Sequence, residues 1–265
     1  TQLSSAGIKR HLCLLPYATL LENIAGIYLP LYMGNAVIAG DHHDFGLTSN
    51  HEFDVNRFVD AITEWQANSI ILLPQMLKAI AESQQAEKLA SLTFMAVGGG
   101  KVSPEIIRLC REQSLPVYEG YGLSECASVV SLNTPSSNRI GSVGKPLPHT
   151  QVHIDSTGEL VISGSAMLGY LGDKETVNDI HTGDIAHIDE EGFLYITGRK
   201  KNTLVSSFGR NISPEWVESV FMAEPEIQQI AVFGEARPYL SAIIVPSSNI
   251  SHTELSAIID KINCT

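Results

Sequence analysis

Basic residues are scarce in this chain: 17 Lys and Arg stand against 29 Asp and Glu among 265 residues, a formal net charge of −12. Such a field repels the phosphates of nucleic acids and of anionic lipid surfaces, which excludes a polynucleotide as the expected partner. Cysteine is also sparse. Cys13, Cys110, Cys126 and Cys264 are scattered singly, with no CxxC pair. That pattern argues against structural zinc and for a reducing compartment, so cytoplasm is the expected location. No long apolar run is present either. The stretch from Leu12 to Met33 is broken by Glu22, Asn23 and several glycines and prolines, which makes a poor membrane span and lacks a signal-peptide layout, so no transmembrane segment is expected. Internal repeats and low-complexity tracts are missing as well. What remains is 44% hydrophobic and 17% charged, the composition of a globular protein with a substantial core. The chain opens on polar Thr1-Gln2-Leu3-Ser4-Ser5 and closes just after a helical pattern. Neither end reads as a domain limit, and a piece of a longer protein is expected.

Three zones differ in their periodicity. Val55, Phe58, Val59, Ile62 and Trp65 recur at three- and four-residue steps, the period of a helix laying one face on a core. From Ser69 to Tyr121, short apolar runs (Ile70-Ile71-Leu72-Leu73, Phe94-Met95-Ala96-Val97, Val117-Tyr118) alternate with helical patterns over Pro74 to Ala81 and Ser103 to Cys110. This rhythm predicts a parallel sheet with crossover helices. Ser103-Pro104 reads as an N-cap followed by a first-turn proline. After about Asn138 the pattern changes to short alternating strands, Gln151 to Ile154, Glu159 to Ser163, Asp184 to Ile188 and Phe193 to Thr197, a small antiparallel barrel or sheet. From about Lys200 a third unit starts, with Ser213-Pro214 as a second helix start, strands at Ile230 to Gly234 and Leu240 to Pro246, and a last helix near Glu254 to Ile262. The expected fold is α/β, a parallel sheet with crossover helices, then a small antiparallel β subdomain and a partial α+β C-terminal domain. The expected division is 1–137, 138–198 and 199–265.

Chemistry concentrates where predicted strands end. Val97-Gly98-Gly99-Gly100-Lys101 follows one strand and precedes a capped helix, the place where an open parallel sheet holds ligands. It is not a Walker loop, because Met95 stands where the first glycine belongs and Val102 where Ser or Thr would bind magnesium. On this triplet alone, a tight strand-to-helix turn is an equally good reading. Glu119-Gly120-Tyr121-Gly122-Leu123-Ser124-Glu125 follows the next strand and combines flexible backbone, an aromatic face, a hydroxyl and a carboxylate. Those parts suit a purine, a phosphate and a divalent metal, for which one carboxylate suffices when phosphates supply the other ligands. Gly122-Leu123-Ser124 could open a nucleophile elbow, but Cys126 replaces its second glycine. Asp184 can accept both hydroxyls of a ribose, and Arg199 can donate in a planar fork to phosphate or sugar. Taken singly, each has a bland reading as a turn residue or a solvated cation. His42-His43-Asp44 lacks a second ligand cluster and reads as an exposed loop. Trp65 and Trp216 read as core or helix-packing residues.

Taken in order, Gly98-Gly99-Gly100, Tyr121-Gly122-Leu123-Ser124-Glu125, Gly158-Glu159-Leu160 to Gly169-Tyr170-Leu171, His181-Thr182-Gly183-Asp184 and Gly198-Arg199-Lys200-Lys201 resemble the adenylate-forming superfamily of acyl-CoA synthetases, peptide-synthetase adenylation domains and luciferases. Leu15-Pro16-Tyr17-Ala18-Thr19-Leu20-Leu21-Glu22 and Gly209-Arg210-Asn211-Ile212-Ser213-Pro214 look most like long-chain fatty acyl-CoA synthetases. The resemblance implies that a carboxylate attacks the α-phosphate of ATP to give acyl-AMP and pyrophosphate, after which a thiol, usually that of coenzyme A, takes the acyl group. It implies a nucleotide-binding set of Gly98, Gly99, Gly100, Gly120, Tyr121, Gly122, Ser124, Asp184 and Arg199. Within it, Ser124 contacts phosphate, Asp184 grips ribose and Arg199 reaches both. Glu125 would bind Mg2+, and Ser124, Glu125 and Arg199 form the catalytic set. The acyl chain would run past Val97, Gly122 and Cys126, and the small C-terminal domain would rotate about a hinge just after Arg199.

Some positions depart from the family pattern. Ser4-Ser5-Ala6-Gly7 is too short for the Ser/Thr/Gly-rich phosphate loop, and the late lysine that bridges carboxylate and α-phosphate is expected beyond Thr265. Thr19 stands where many relatives carry a histidine or aromatic gate, and Asn202 where the hinge is usually acidic. Poor adenylation by this chain alone is the expectation. A fatty acid is the expected substrate. The readings beside it are a ligase that loads an acyl carrier protein and a non-catalytic nucleotide-binding remnant.

Overall fold

The computed structural model describes residues 6–48, 52–164, 166–172, 178–247 and 250–263. Thr1 to Ser5, Cys264 and Thr265, which figured in the sequence reading, lie outside them. The first sheet has the order β2-β1-β3-β4-β5-β6-β7. Its strands are β1 (Arg10–Leu12), β2 (Ala36–Ile38), β3 (Ser69–Leu72), β4 (Phe94–Val97), β5 (Val117–Tyr121), β6 (Ser131–Leu132) and β7 (Lys145–Pro146). β1 to β5 are mutually parallel, and β6 and β7 add antiparallel pairs. The helices between them are α1 (Leu29–Tyr32), α2 (Val55–Trp65), α3 (Pro74–Glu82) and α4 (Pro104–Glu112). Every residue of β3 is buried, as a parallel strand covered on both faces requires.

The helix starts follow from their caps. Asp54 accepts from the backbone N–H groups of Asn56 and Arg57, and Ser103 from that of Glu105, with Pro104 directly after it. Along α2 the buried face is Phe58, Val59, Ala61 and Ile62, all in the larger hydrophobic core. The expected packing roles of Trp65 and Trp216 are corrected: they are 43% and 58% exposed. Trp65 falls in the last turn of α2, beyond the core its own helix face covers, and Trp216 points away from the buried face of its helix. The loop at 42–44 is also less open than expected, since His42 is half-buried, packs at a tilt against Tyr17 with ring centroids 4.4 Å apart and bonds the Leu15 carbonyl.

Between β1 and β2 the chain forms a π-helix, Glu22–Tyr28, which runs into α1. Here a side chain on Gly26 would lie 1.9 Å from Glu22 Oε1, so glycine is what lets the wide turn carry the Glu22 carboxylate inward.

The second sheet is antiparallel, order β11-β10-β9-β8, with β8 (Gln151–Ile154), β9 (Glu159–Ser163), β10 (Asp179–Ile188) and β11 (Leu194–Arg199). Cys126 and Val130 pack with Leu160, Ile162 and Leu194 in a second core that joins this sheet to the first. The C-terminal unit holds β12 (Leu204–Val205), β13 (Asn211–Ile212), α5 (Pro214–Phe221), the hairpin β14 (Ile227–Phe233) with β15 (Ser241–Pro246), and α6 (His252–Asn263). Ser213 caps α5 by accepting from the Trp216 N–H. Lys78 of α3 donates to the carbonyls of Glu224 (2.9 Å) and Ile227 (2.8 Å), which ties this unit to the first sheet. Among the described residues no helix is long and apolar enough to cross a membrane. The fold is thus the expected succession of parallel α/β sheet, antiparallel sheet and small α+β unit.

Candidate active site

A cavity of about 820 Å3 opens at the C-terminal edges of β3, β4 and β5, the edge at which open parallel sheets hold ligands. Gly98 and Gly99 from the end of β4, and Gly120, Tyr121, Gly122 and Ser124 from β5 and its continuation, line its mouth. Two of these glycines are demanded by the chain itself. Gly99 has φ +78°, and a side chain on Gly122 would overlap the Ser128 carbonyl at 1.5 Å. The strain continues past Ser124–Cys126, a single 3₁₀ turn, into Ala127 and Ser128 at φ +55° and +89°. Left-handed non-glycine residues of this kind persist only where their surroundings fix them. The fixing here comes from the N–H groups of Cys126 and Ser128, both bonded to the Leu123 carbonyl, and from Met167 N–H on the Glu125 carbonyl.

The hairpin of β10 and β11 sets Asp184 directly opposite Arg199 in register. Arg199 Nε lies 2.8 Å from Asp184 Oδ1, and the Tyr121 hydroxyl donates to Asp184 Oδ2 at 2.5 Å. Asp184 is 4% exposed, and its burial raises its pKa against the opposing pull of Tyr121 and Arg199. Burial, then the bond to Asp184, raises that of the Tyr121 hydroxyl. Arg199 reaches solvent, with its Nη1 on the Thr182 carbonyl at 3.2 Å. Three of the singled-out residues thus meet as one cluster of hydroxyl, carboxylate and guanidinium. Gly100, Glu125, Asp184 and Arg199 lie outside the cavity wall, and Tyr121 belongs to both groups.

Glu125 is half-buried, and its Oε1 accepts from the Tyr170 hydroxyl at 2.9 Å. Its second oxygen leaves one carboxylate ligand for a cation, which fits magnesium held mainly by nucleotide phosphates. Of the three residues expected beside the acyl chain, Val97 and Gly122 line the cavity, whereas Cys126 is 1% exposed and packs in the second core instead. Its short side chain is turned inward by the 3₁₀ turn that holds Ser124 and Glu125.

One buried carboxyl and one ion pair went unread in the sequence. Glu119, 6% exposed, lies beneath the glycine turn near Lys101, and burial pushes its pKa up to about 8. Lys101 donates to the Ile196 carbonyl at 2.6 Å, so the glycine turn is linked to β11, and burial lowers its own pKa. Lys200, the residue after Arg199, lies 2.7 Å from buried Glu159, which also accepts from the Gly183 N–H at 2.9 Å. Glu119 and Lys101 flank motifs that had been singled out, but no pattern along the chain marks either as paired.

An open parallel sheet with a cavity at its glycine-rich edge, flanked by a Tyr–Asp–Arg cluster on an antiparallel hairpin, defines a nucleotide-site architecture. Residues 3–171 match the AMP-binding enzyme family, and residues 201–265 the AMP-binding enzyme C-terminal domain. The chain belongs to the AMP-binding enzyme family. A long-chain-fatty-acid–CoA ligase of Mycobacterium tuberculosis is 36% identical over 154 residues, 56% of this chain and 26% of its own length. A 2-succinylbenzoate–CoA ligase of Lactococcus lactis is 32% identical over 214 residues, 77% of this chain and 47% of its own length. This chain therefore spans about half or less of those curated relatives. Among solved structures, O-succinylbenzoate coenzyme A synthetase of Bacillus subtilis in complex with AMP superimposes with a TM-score of 0.77 at 25% identity, covering 98% of this chain and 57% of that one. An anthranilate CoA ligase in complex with anthranoyl-AMP, at 19% identity, shares the fold with a TM-score of 0.83 over 99% of this chain and 55% of its own.

Proposed function

We propose that this chain is the nucleoside-holding part of an AMP-forming acid–thiol ligase, organised as 1–137, 138–198 and 199–265. In the reaction of the whole protein, a carboxylate oxygen attacks the α-phosphorus of ATP and pyrophosphate leaves. The thiol of coenzyme A then attacks the acyl carbon and AMP leaves. Gly98, Gly99, Gly100, Gly120, Tyr121 and Gly122 form the adenine wall, and Ser124 faces phosphate. Asp184 accepts from the ribose hydroxyls, while Arg199 holds ribose and phosphate. Glu125 with the nucleotide phosphates would hold Mg2+, which would offset negative charge during the displacement. What these side chains contribute is placement and charge compensation, not covalent chemistry. A long-chain fatty acid is the substrate class suggested by the first relative, and an aromatic acid by the second.

The Tyr121–Asp184–Arg199 cluster is the observation that carries this reading, because a buried carboxylate between a hydroxyl and a guanidinium is a ready acceptor for a vicinal diol. The test is calorimetric titration of the folded chain with a non-hydrolysable acyl-adenylate analogue, beside Asp184→Ala. Removing two charge-assisted hydrogen bonds should weaken binding roughly a hundredfold. Equal affinity of parent and variant would remove Asp184 from the nucleoside site.

A further inference from the structure

The cavity does not end as it begins. Its walls are mostly aliphatic, yet His11, Ser69 and Asn35 line it at the end away from the glycines. Strand pairing fixes their depth. Ser69 stands beside Phe94 in register, and His11 beside Ser69, so His11, Ser69 and Phe94 form one layer across β1, β3 and β4, while Asn35 directly precedes Ala36, which pairs with Arg10 at that end of the sheet. Phe94 lies four residues before Gly98 on β4, which places that layer ~13 Å below the mouth at the usual rise per strand residue.

This layer is polar and supported from behind. His11 is 2% exposed and Ser69 likewise 2%, with His11 Nδ1 2.6 Å from Ser69 Oγ. On the other side His11 Nε2 lies 3.0 Å from Oε1 of Glu22, which is fully buried and whose Oε2 accepts from the Leu15 N–H at 3.0 Å. In the tautomer whose Nε2–H donates to that carboxylate, Nδ1 accepts a hydrogen bond from the Ser69 hydroxyl, and the lone pairs of Ser69 Oγ are left as acceptors. Asn35 adds an amide nitrogen that is buried and, among the described residues, has no hydrogen-bond partner. The deep end therefore combines an acceptor with an unsatisfied donor. Among the described residues, no Lys or Arg lines the cavity.

We propose that this cavity selects a carboxylic acid bearing a neutral hydroxyl at its far end, read by Ser69 and Asn35 with His11 and Glu22 as positioning residues. This rests on the adenylate reading above in taking the glycine mouth as the end where the carboxylate reacts. A hydroxyl both donates and accepts, which matches the pair. A plain methyl terminus would leave the Asn35 donor unsatisfied. A second carboxylate would find no Lys or Arg among the described residues of the wall to balance it.

The test compares three medium-chain acids of equal length, ending in a methyl, a hydroxymethyl or a second carboxylate. Each is titrated calorimetrically into the 265-residue chain, both as the free acid and as its non-hydrolysable adenylate analogue. The hydroxylated acid should bind roughly tenfold more tightly than the alkyl acid, and the dicarboxylic acid most weakly. In Ser69→Ala and in Asn35→Leu, folding being checked by circular dichroism, the preference for hydroxyl over methyl should fall below about threefold. Equal or reversed affinities of the parent for the free hydroxylated and alkyl acids would overturn the proposal, as would failure of all three acids to bind. Loss of adenylate binding with the free-acid order preserved would instead count against the nucleotide site alone.

Discussion

The buried acids on β5 and β10 have different companions, and their responses to pH should differ accordingly. The folded-state pKa of Glu119, near 8, lies above its ordinary value of 4.5, so the folded protein keeps a proton there that the unfolded chain has lost. Stability from this group is complete below about pH 4.5 and falls as pH rises toward 8. Lys101 faces it, and Glu215 lies near Lys101. Glu119→Gln keeps the shape and removes the titration. Urea unfolding of parent and variant near pH 5 and near pH 8 should show a loss smaller by about 1–3 kcal/mol in the variant. The same slope in both proteins would show that Glu119 is not the titrating group. At Asp184 the Tyr121 hydroxyl opposes the effect of burial, so Tyr121→Phe should push the Asp184 pKa further up. It should also weaken an acyl-adenylate analogue about three- to tenfold near neutral pH, measured by the same calorimetry as for Asp184→Ala.

Elements whose physics is local were legible in the sequence. α2, α3 and α4 announce themselves through caps, first-turn prolines and a 3.6-residue apolar stripe, and β4, β8 and β9 through short runs between turn residues. Residues 10–38 were opaque, because β1 and β2 are three residues long and the π-helix between them has no 3.6-residue period to detect. The polar floor of the cavity went unread for that reason, since His11 and Glu22 meet only through those elements. The site shows the same division. Asp184 and Arg199 lie on consecutive strands, and a hairpin register places them opposite each other. The Tyr121 contact spans 63 residues and two sheets, and no spacing rule reaches that far. The stripe of α2 was read one residue too long, which a pair of truncations can check. Phe58→Ala should cost about 3–5 kcal/mol in urea unfolding. Trp65→Ala, equally apolar in the sequence pattern, should stay within about 0.5 kcal/mol.

Across the whole molecule, the C-terminal unit is held by two kinds of contact, one to the antiparallel sheet and one to a helix of the parallel sheet. Lys200 clamps onto Glu159 just beyond Arg199, and Lys78 reaches from α3 to the turn after α5. A rotation about 199–200 must break the Lys78 contact while the Lys200 anchor, next to the pivot, moves little. Lys78→Ala should therefore raise the rate of proteolytic cleavage in the segment around 200–203 severalfold at unchanged secondary structure, by gel and circular dichroism. An unchanged cleavage rate would mean that Lys78 does not restrain the unit.

The hydrogen bonds of Lys78 go to two main-chain oxygens of the segment it holds, with the Glu224 and Glu226 carboxylates close enough to add attraction. Any sequence that turns the same way after α5 would present the same two carbonyls. The hydrogen bonds of the join are thus written on one side only. Grafting the corresponding small unit of another member of this family after Lys200 should preserve docking whenever Lys78 is kept, so the two parts of the molecule are free to diverge at different speeds.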